Sequence, residues 1–192
     1  MNQKNLLEVD WSKIPAPQDD GAADHLRGLE IPPVSLAATD DTSVTLAALN
    51  GRSVVFAYPR TGEPGRISLV DDWDMIPGAR GCTPQTCSFR DLFAELKAAG
   101  AQHVFGLSTQ SNAYQTEMAS RLHLPFPVLS DEKLELSRAL NLPTMEVAGL
   151  VLIKRFALII DDARITHVFY PVFPPDRNAG DVLAWLRDHP VS

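Results

Sequence analysis

From residue 34 onward, apolar positions fall in short blocks whose spacing switches between the period of a strand and that of a helix. Val34 to Ala48 reads as two short strands around the polar turn Thr39-Asp40-Asp41-Thr42-Ser43. The run Arg52 to Tyr58 has the length and apolar content of a buried strand. Residues 59–81 carry three Pro and four Gly without a helical period, a long loop of the kind that is usually functional. Apolar residues at 89, 92, 93 and 96 then mark a helical stripe within Thr83 to Ala99, ended by Gly100. Strand 102–107, helix 111–122, an extended piece at 126–129 and helix 131–140 follow. Strands 150–160 and 164–170 and a helix over 178–187 finish the chain. Residues 1–33, rich in Pro, Asp and Gly, read as a largely irregular arm, which leaves residues 34–192 as one domain.

This order predicts an α/β protein, with a mixed central sheet, helices on both faces and an N-terminal β-hairpin. A length of 192 residues suits one domain with a full core. A formal net charge of −7 and the lack of a basic patch argue against nucleic acid as partner. The N-terminal residues Met1 to Glu8 have no apolar segment of the secretory kind, and no apolar run is long enough to span a bilayer. A cytoplasmic protein is the expectation, and in that compartment paired cysteines more often cycle than staple.

The chain has two cysteines, both in Gly81-Cys82-Thr83-Pro84-Gln85-Thr86-Cys87. Pro84 fits the first turn of a helix and Thr83 is a candidate cap. Cys82 then sits at the helix mouth, where the positive end of the dipole and free amides favour thiolate over thiol. Five residues apart on an intact helix, the two Cα atoms lie roughly 8.7 Å apart, beyond the ~7 Å a disulfide tolerates. The pair closes only if the first turn unwinds, which suggests a thiolate that first reacts with something else and is then rescued by its neighbour. Two active thiols on the first helix after the first core strand give a thioredoxin-like arrangement.

Four ordered blocks resemble the peroxiredoxins, specifically the peroxiredoxin Q or bacterioferritin comigratory protein branch, over roughly residues 34–188. They are Gly81-Cys82-Thr83 through Cys87 to Arg90-Asp91; Gly106-Leu107-Ser108; Leu124-Pro125-Phe126 to Ser130-Asp131; and Arg155-Phe156 to Ile160-Asp161. The resemblance implies that Cys82 is the peroxidatic cysteine, Cys87 the resolving cysteine and Arg155 the cation beside the thiolate. It further implies a hydroperoxide substrate, a thioredoxin- or glutaredoxin-type protein reductant, no cofactor, and a monomer or homodimer. The chain departs from the family where a Thr hydroxyl normally orients the peroxide, three residues before the peroxidatic cysteine. Ala79 stands there, and about fifteen extra residues separate Tyr58-Pro59 from Gly81-Cys82. Thr61 is the candidate substitute, and Gln110 stands where the family usually has Asp.

The alternatives to a peroxidase are a thiol–disulfide oxidoreductase, disfavoured by the C-x-x-x-x-C spacing, and a redox sensor whose helix melts on oxidation. For Arg155 the alternative is a structural pairing at the core edge with Asp91 or another carboxylate, and Arg90-Asp91 itself reads as a helix-face ion pair. The five histidines, at 25, 103, 123, 167 and 189, have no ligand spacing, so no metal is expected. The aromatic, Pro-rich segment Phe169 to Pro175 is expected to cap a sheet edge.

Overall fold

The structure, a computed structural model, describes residues 9–191. Nine strands and five helices succeed one another in the predicted sense. β1 (Ser35–Ala38) and β2 (Ser43–Thr45) form the N-terminal hairpin, and β3 (Arg52–Ala57) is buried along its whole length. The long loop follows, holding a 3-10 turn at Trp73–Met75. Next come α1 (Cys82–Asp91), α2 (Phe93–Ala98), β4 (His103–Ser108), α3 (Asn112–Arg121) and β5 (Val128–Ser130). α4 (Glu135–Leu140), β6 (Thr144–Val147), β7 (Leu150–Ile153), β8 (Phe156–Asp161), β9 (Arg164–Phe169) and α5 (Asn178–Asp188) complete the chain.

The seven-stranded sheet runs β2-β1-β5-β4-β3-β8-β9. β3, β4 and β5 are parallel, and the outer pairings are antiparallel, so the sheet is mixed as expected. Alternation along β3 builds two cores. Val54, Phe56 and Tyr58 face one side, with both cysteines, Phe89 of α1, Leu96 of α2, Met118 of α3 and Val182 of α5. Val55 and Ala57 face the other, with Leu136 and Leu140 of α4 and Leu26 of the arm. Gly106, at the middle of β4, lets the strand pack closely, since a Cβ there would lie 3.2 Å from both the Phe56 ring and Val128.

Four predicted boundaries move, each for a local reason. The helix expected over 83–99 breaks at Leu92 (φ −99°, ψ 10°), which separates α1 from α2. The helix expected from 131 starts only at Glu135, because the buried Asp131 side chain accepts from the Leu136 and Ser137 amides (3.0 and 2.8 Å) and caps it. The strand expected over 150–160 is two strands: β7 pairs with β6, and the chain turns at Lys154-Arg155 before β8 enters the main sheet. Thr83 does not cap α1. Gly81 holds the N-cap position at φ 103°, a left-handed backbone that a glycine adopts without strain, and Cys82 is the first helical residue.

The arm, expected to be irregular, has one 3-10 turn (Trp11–Lys13) and otherwise bends and turns over the described residues 9–33. It is anchored all the same. Ala23, Leu26 and Ile31 are buried in the core, and Gly28 and Ile31 amides donate to Ile165 and Ala163 carbonyls at 2.8 Å. The long loop makes a small core of its own against the β6–β7 hairpin, from Trp73, Ala79, Val147 and Leu152. No helix among the described residues is long and apolar enough to cross a membrane.

Candidate active site

Local sequence sets the mouth of α1. The left-handed Gly81 turns the chain into the helix, and the amides of Cys82 and Thr83 are left without intrahelical acceptors, Pro84 having no N–H to leave. Cys82 is 3% exposed and Cys87 7%, and both are free thiols. The Cys82 thiol donates to the Ala79 carbonyl (3.5 Å), and the Thr86 hydroxyl donates to the Cys82 carbonyl (2.8 Å).

The turn between β7 and β8 carries Arg155 to the same point. Its Nη2 donates toward Cys82 Sγ at 3.2 Å and toward the carbonyls of Gly78, Ala79 and Arg80 at 3.1, 3.3 and 3.2 Å. Its Nη1 donates to Gln85 Oε1, one turn along α1, and the Gln85 amide in turn donates to Asn178 Oδ1 of α5 at 2.9 Å. Arg155 is 2% exposed, its Nε has no partner, and it makes no ion pair among the described residues. The expected alternative, a structural pairing with Asp91, does not form: Asp91 pairs with its neighbour Arg90 at 2.8 Å. A buried cation held only by carbonyl dipoles, an amide and a sulfur is incompletely compensated, because burial penalises charge heavily. A negative charge on Cys82 would complete it.

Cys87 has different surroundings. It lies in the apolar core beside Phe89 and Tyr58, and burial pushes its thiol above the ordinary cysteine range, with Arg90 pulling in the opposite direction. Tyr58 is fully buried, and burial, with Cys82 nearby, drives its phenol far above its ordinary range; its hydroxyl makes no hydrogen bond, although Ser108 lies close enough to moderate the shift.

Four residues were candidates from the sequence. Arg155 hydrogen-bonds to Cys82 at the mouth of α1, Cys87 lies five residues along the same helix, and Thr61 sits in the loop after β3. The Thr61 amide and hydroxyl both donate to Gln110 Oε1 (2.9 and 3.1 Å), and its carbonyl accepts from the Tyr114 hydroxyl (3.1 Å). The Gln110 that replaces the usual family Asp is thus the clamp of the loop after β3. Sequence reasoning missed Gln85, the outer partner of Arg155; its place one turn from Cys82 was the available signal. Among the described residues no group of His, Cys, Asp and Glu could hold a metal.

Comparison with known proteins decides the family. A family model described as Redoxin matches residues 26–183. The chain belongs to the redoxin family. Its relatives are of the peroxiredoxin Q kind. It is 27% identical over 162 residues to the chloroplastic peroxiredoxin Q of Oryza sativa subsp. japonica, covering 84% of this chain and 66% of that one, so it spans about two-thirds of the rice protein's length. A peroxiredoxin of Mycobacterium tuberculosis is 32% identical over 136 residues, covering 67% of this chain and 88% of the relative. The crystal structure of peroxidoxin BcpB from Mycobacterium tuberculosis superposes with a TM-score of 0.68 at 25% identity, over 86% of this chain and 98% of that one. Peroxiredoxin Q of Xanthomonas campestris gives 0.66 at 25% identity, over 84% and 96%. The redoxin match begins at residue 26, so the arm before it, with Trp11, Pro17 and Asp20, lies outside the shared part.

Proposed function

We propose that this redoxin is a thiol peroxidase that reduces hydrogen peroxide or an organic hydroperoxide, with Cys82 as nucleophile and Cys87 as resolving thiol. The observation that carries this reading is the buried, carboxylate-free guanidinium of Arg155 directed at Cys82 Sγ from 3.2 Å at a helix mouth. The Cys82 thiolate attacks the distal peroxide oxygen. An S–O bond forms, the O–O bond breaks, and the leaving oxygen departs as water or alcohol after taking up a proton. Negative charge grows on that oxygen, so donation from Arg155 and the first-turn amides acts most strongly in the transition state.

With Ala79 in the place of the family threonine, no hydroxyl at that position accepts from the peroxide. The Ala79 carbonyl, which accepts from the Cys82 thiol and from Arg155, is the acceptor beside the sulfur that takes that part once Cys82 gives up its proton. Thr61, whose amide and hydroxyl donate to Gln110, acts as a positioning residue for the loop after β3. In the second step the Cys87 sulfur attacks the Cys82 sulfenic acid, forming an intramolecular S–S bond as the S–O bond breaks and water leaves. An external dithiol of the thioredoxin or glutaredoxin type then restores both thiols.

Peroxide consumption by reduced protein with a continuous supply of dithiol tests the reading. An enzyme consumes peroxide in large excess over itself and loses this in Cys82→Ser. A single stoichiometric oxidation, with no turnover, would instead mark a sensor.

A further inference from the structure

The step that closes the disulfide requires the first turn of α1 to unwind, and the residue that leads into that turn is packed under the N-terminal arm. Gly81 is the pivot. A Cβ built on it would lie 2.6 Å from Cη2 of Trp11 and 2.7 Å from Cγ of Pro175, so the indole of the N-terminal arm and the proline of the Pro175–Arg177 turn sit directly on the residue before Cys82. Trp11 is fixed there by a hydrogen bond from Nε1 to Asp176 Oδ2 (3.0 Å) and an edge-on contact with Phe173 (centroids 6.0 Å, 78°). The Pro-rich segment expected to cap a sheet edge therefore serves as the seat for this indole. Farther along the arm, Pro17 lies against Gly78, and Asp20 accepts from Lys154 and from the Tyr170 hydroxyl. These contacts tie the strap to the residues on either side of Arg155.

We infer that the arm is a latch on the peroxidatic turn: Trp11 must leave Gly81 before oxidised Cys82 can reach Cys87, so the arm sets the lifetime of the Cys82 sulfenic acid. The inference rests on the peroxidase reading above and adds a control to its second step. While the latch is closed, the sulfenic acid stays in the site beside Arg155. A second hydroperoxide can then add another oxygen to the sulfur, with loss of a second water or alcohol, giving a sulfinic acid that Cys87 cannot resolve. Opening the latch shifts the partition toward the disulfide. Residues 9–16 are suited to such movement, since they have few backbone anchors whereas residues 23–31 are built into the core.

The test is quenched-flow oxidation with hydrogen peroxide, read by mass spectrometry as disulfide, sulfenic and sulfinic acid, in the wild type, Trp11→Ala, Trp11→Phe and Asp176→Asn. Loss of one aromatic seat should speed disulfide formation about fivefold in Trp11→Ala and lower the sulfinic fraction at high peroxide to match. Trp11→Phe should restore most of the slow closure, and Asp176→Asn, which leaves the indole in place, should accelerate it about twofold. Sulfenic acid formation, measured in each variant with Cys87→Ser added, should not change. Equal disulfide rates in wild type, Trp11→Ala and Asp176→Asn would overturn the latch alone. Faster sulfenic acid formation in Trp11→Ala would overturn it in favour of a gate on substrate entry. Absence of any sulfenic acid in Cys87→Ser would remove the peroxidase reading and the latch with it.

Discussion

The mouth and the middle of one short helix give two cysteines opposite environments. At the mouth of α1, Cys82 meets a guanidinium, three carbonyls gathered by that guanidinium, and the free amides of a helix N-terminus. Five residues on, Cys87 meets Phe89, Tyr58 and the apolar face of the sheet, and burial raises its thiol above the ordinary range. The difference teaches that surroundings, not the thiols themselves, set the two apart. The mouth gathers donors around Cys82, and burial at Cys87 disfavours its thiolate.

Cys82→Ser breaks the comparison most severely. Peroxide turnover should fall on the order of 10³-fold or more, to the background of the dithiol alone, because the second cysteine lacks the donors to replace the first. Arg155→Met should slow sulfenic acid formation by about 10²- to 10³-fold, the loss typical of one preorganised donor. It should also destabilise the fold by about 2–4 kcal/mol, since the Gly78, Ala79 and Arg80 carbonyls lose their common partner. Arg155→Lys should recover little of the rate, because an ammonium cannot span Gln85 and the sulfur together. Single-turnover kinetics and a denaturant titration separate the two effects.

Gly81→Ala probes the hinge. A left-handed φ of 103° and the clash with Trp11 and Pro175 should cost about 1–3 kcal/mol in thermal or denaturant unfolding. The smallest effect sharpens the description of the interior. In folded Cys82→Ser, alkylation of Cys87 should rise with pH through a midpoint above that of an ordinary cysteine, and unfolding should return the midpoint to the usual range. The sign follows from burial, which disfavours the thiolate, so reactivity appears only at higher pH. A midpoint below the ordinary range would mean that Arg90, not burial, dominates there.

Much of this was legible before any coordinates. The apolar run of 52–58 and the cysteine spacing placed β3, the helix mouth and both thiols, because run length and N-terminal helix chemistry are local properties. Arg155 was found by its family block, and its partners lie 70 and more residues away in sequence, beyond the reach of periodicity. The break at Leu92 was hidden because the apolar positions 89, 92, 93 and 96 keep one helical stripe across it, and the split of strand 150–160 because only the pair Lys154-Arg155 interrupts an otherwise apolar run. The partner of Thr61 was not legible either, since Gln110 lies 49 residues on. The role of the arm was hidden altogether, since Trp11 acquires meaning only when Gly81 and Pro175 are seen beneath it.

The most direct test of the central claim is trapping. Reduced Cys87→Ser and Cys82→Ser are each mixed with one equivalent of hydrogen peroxide and a sulfenic-acid-specific dione, and the wild type is mapped for disulfides in parallel. The account predicts a rapid adduct on Cys82, none on Cys87 over the same time, and a Cys82–Cys87 bond within one wild-type chain. An adduct forming first on Cys87, or a wild-type disulfide joining two chains, would contradict it.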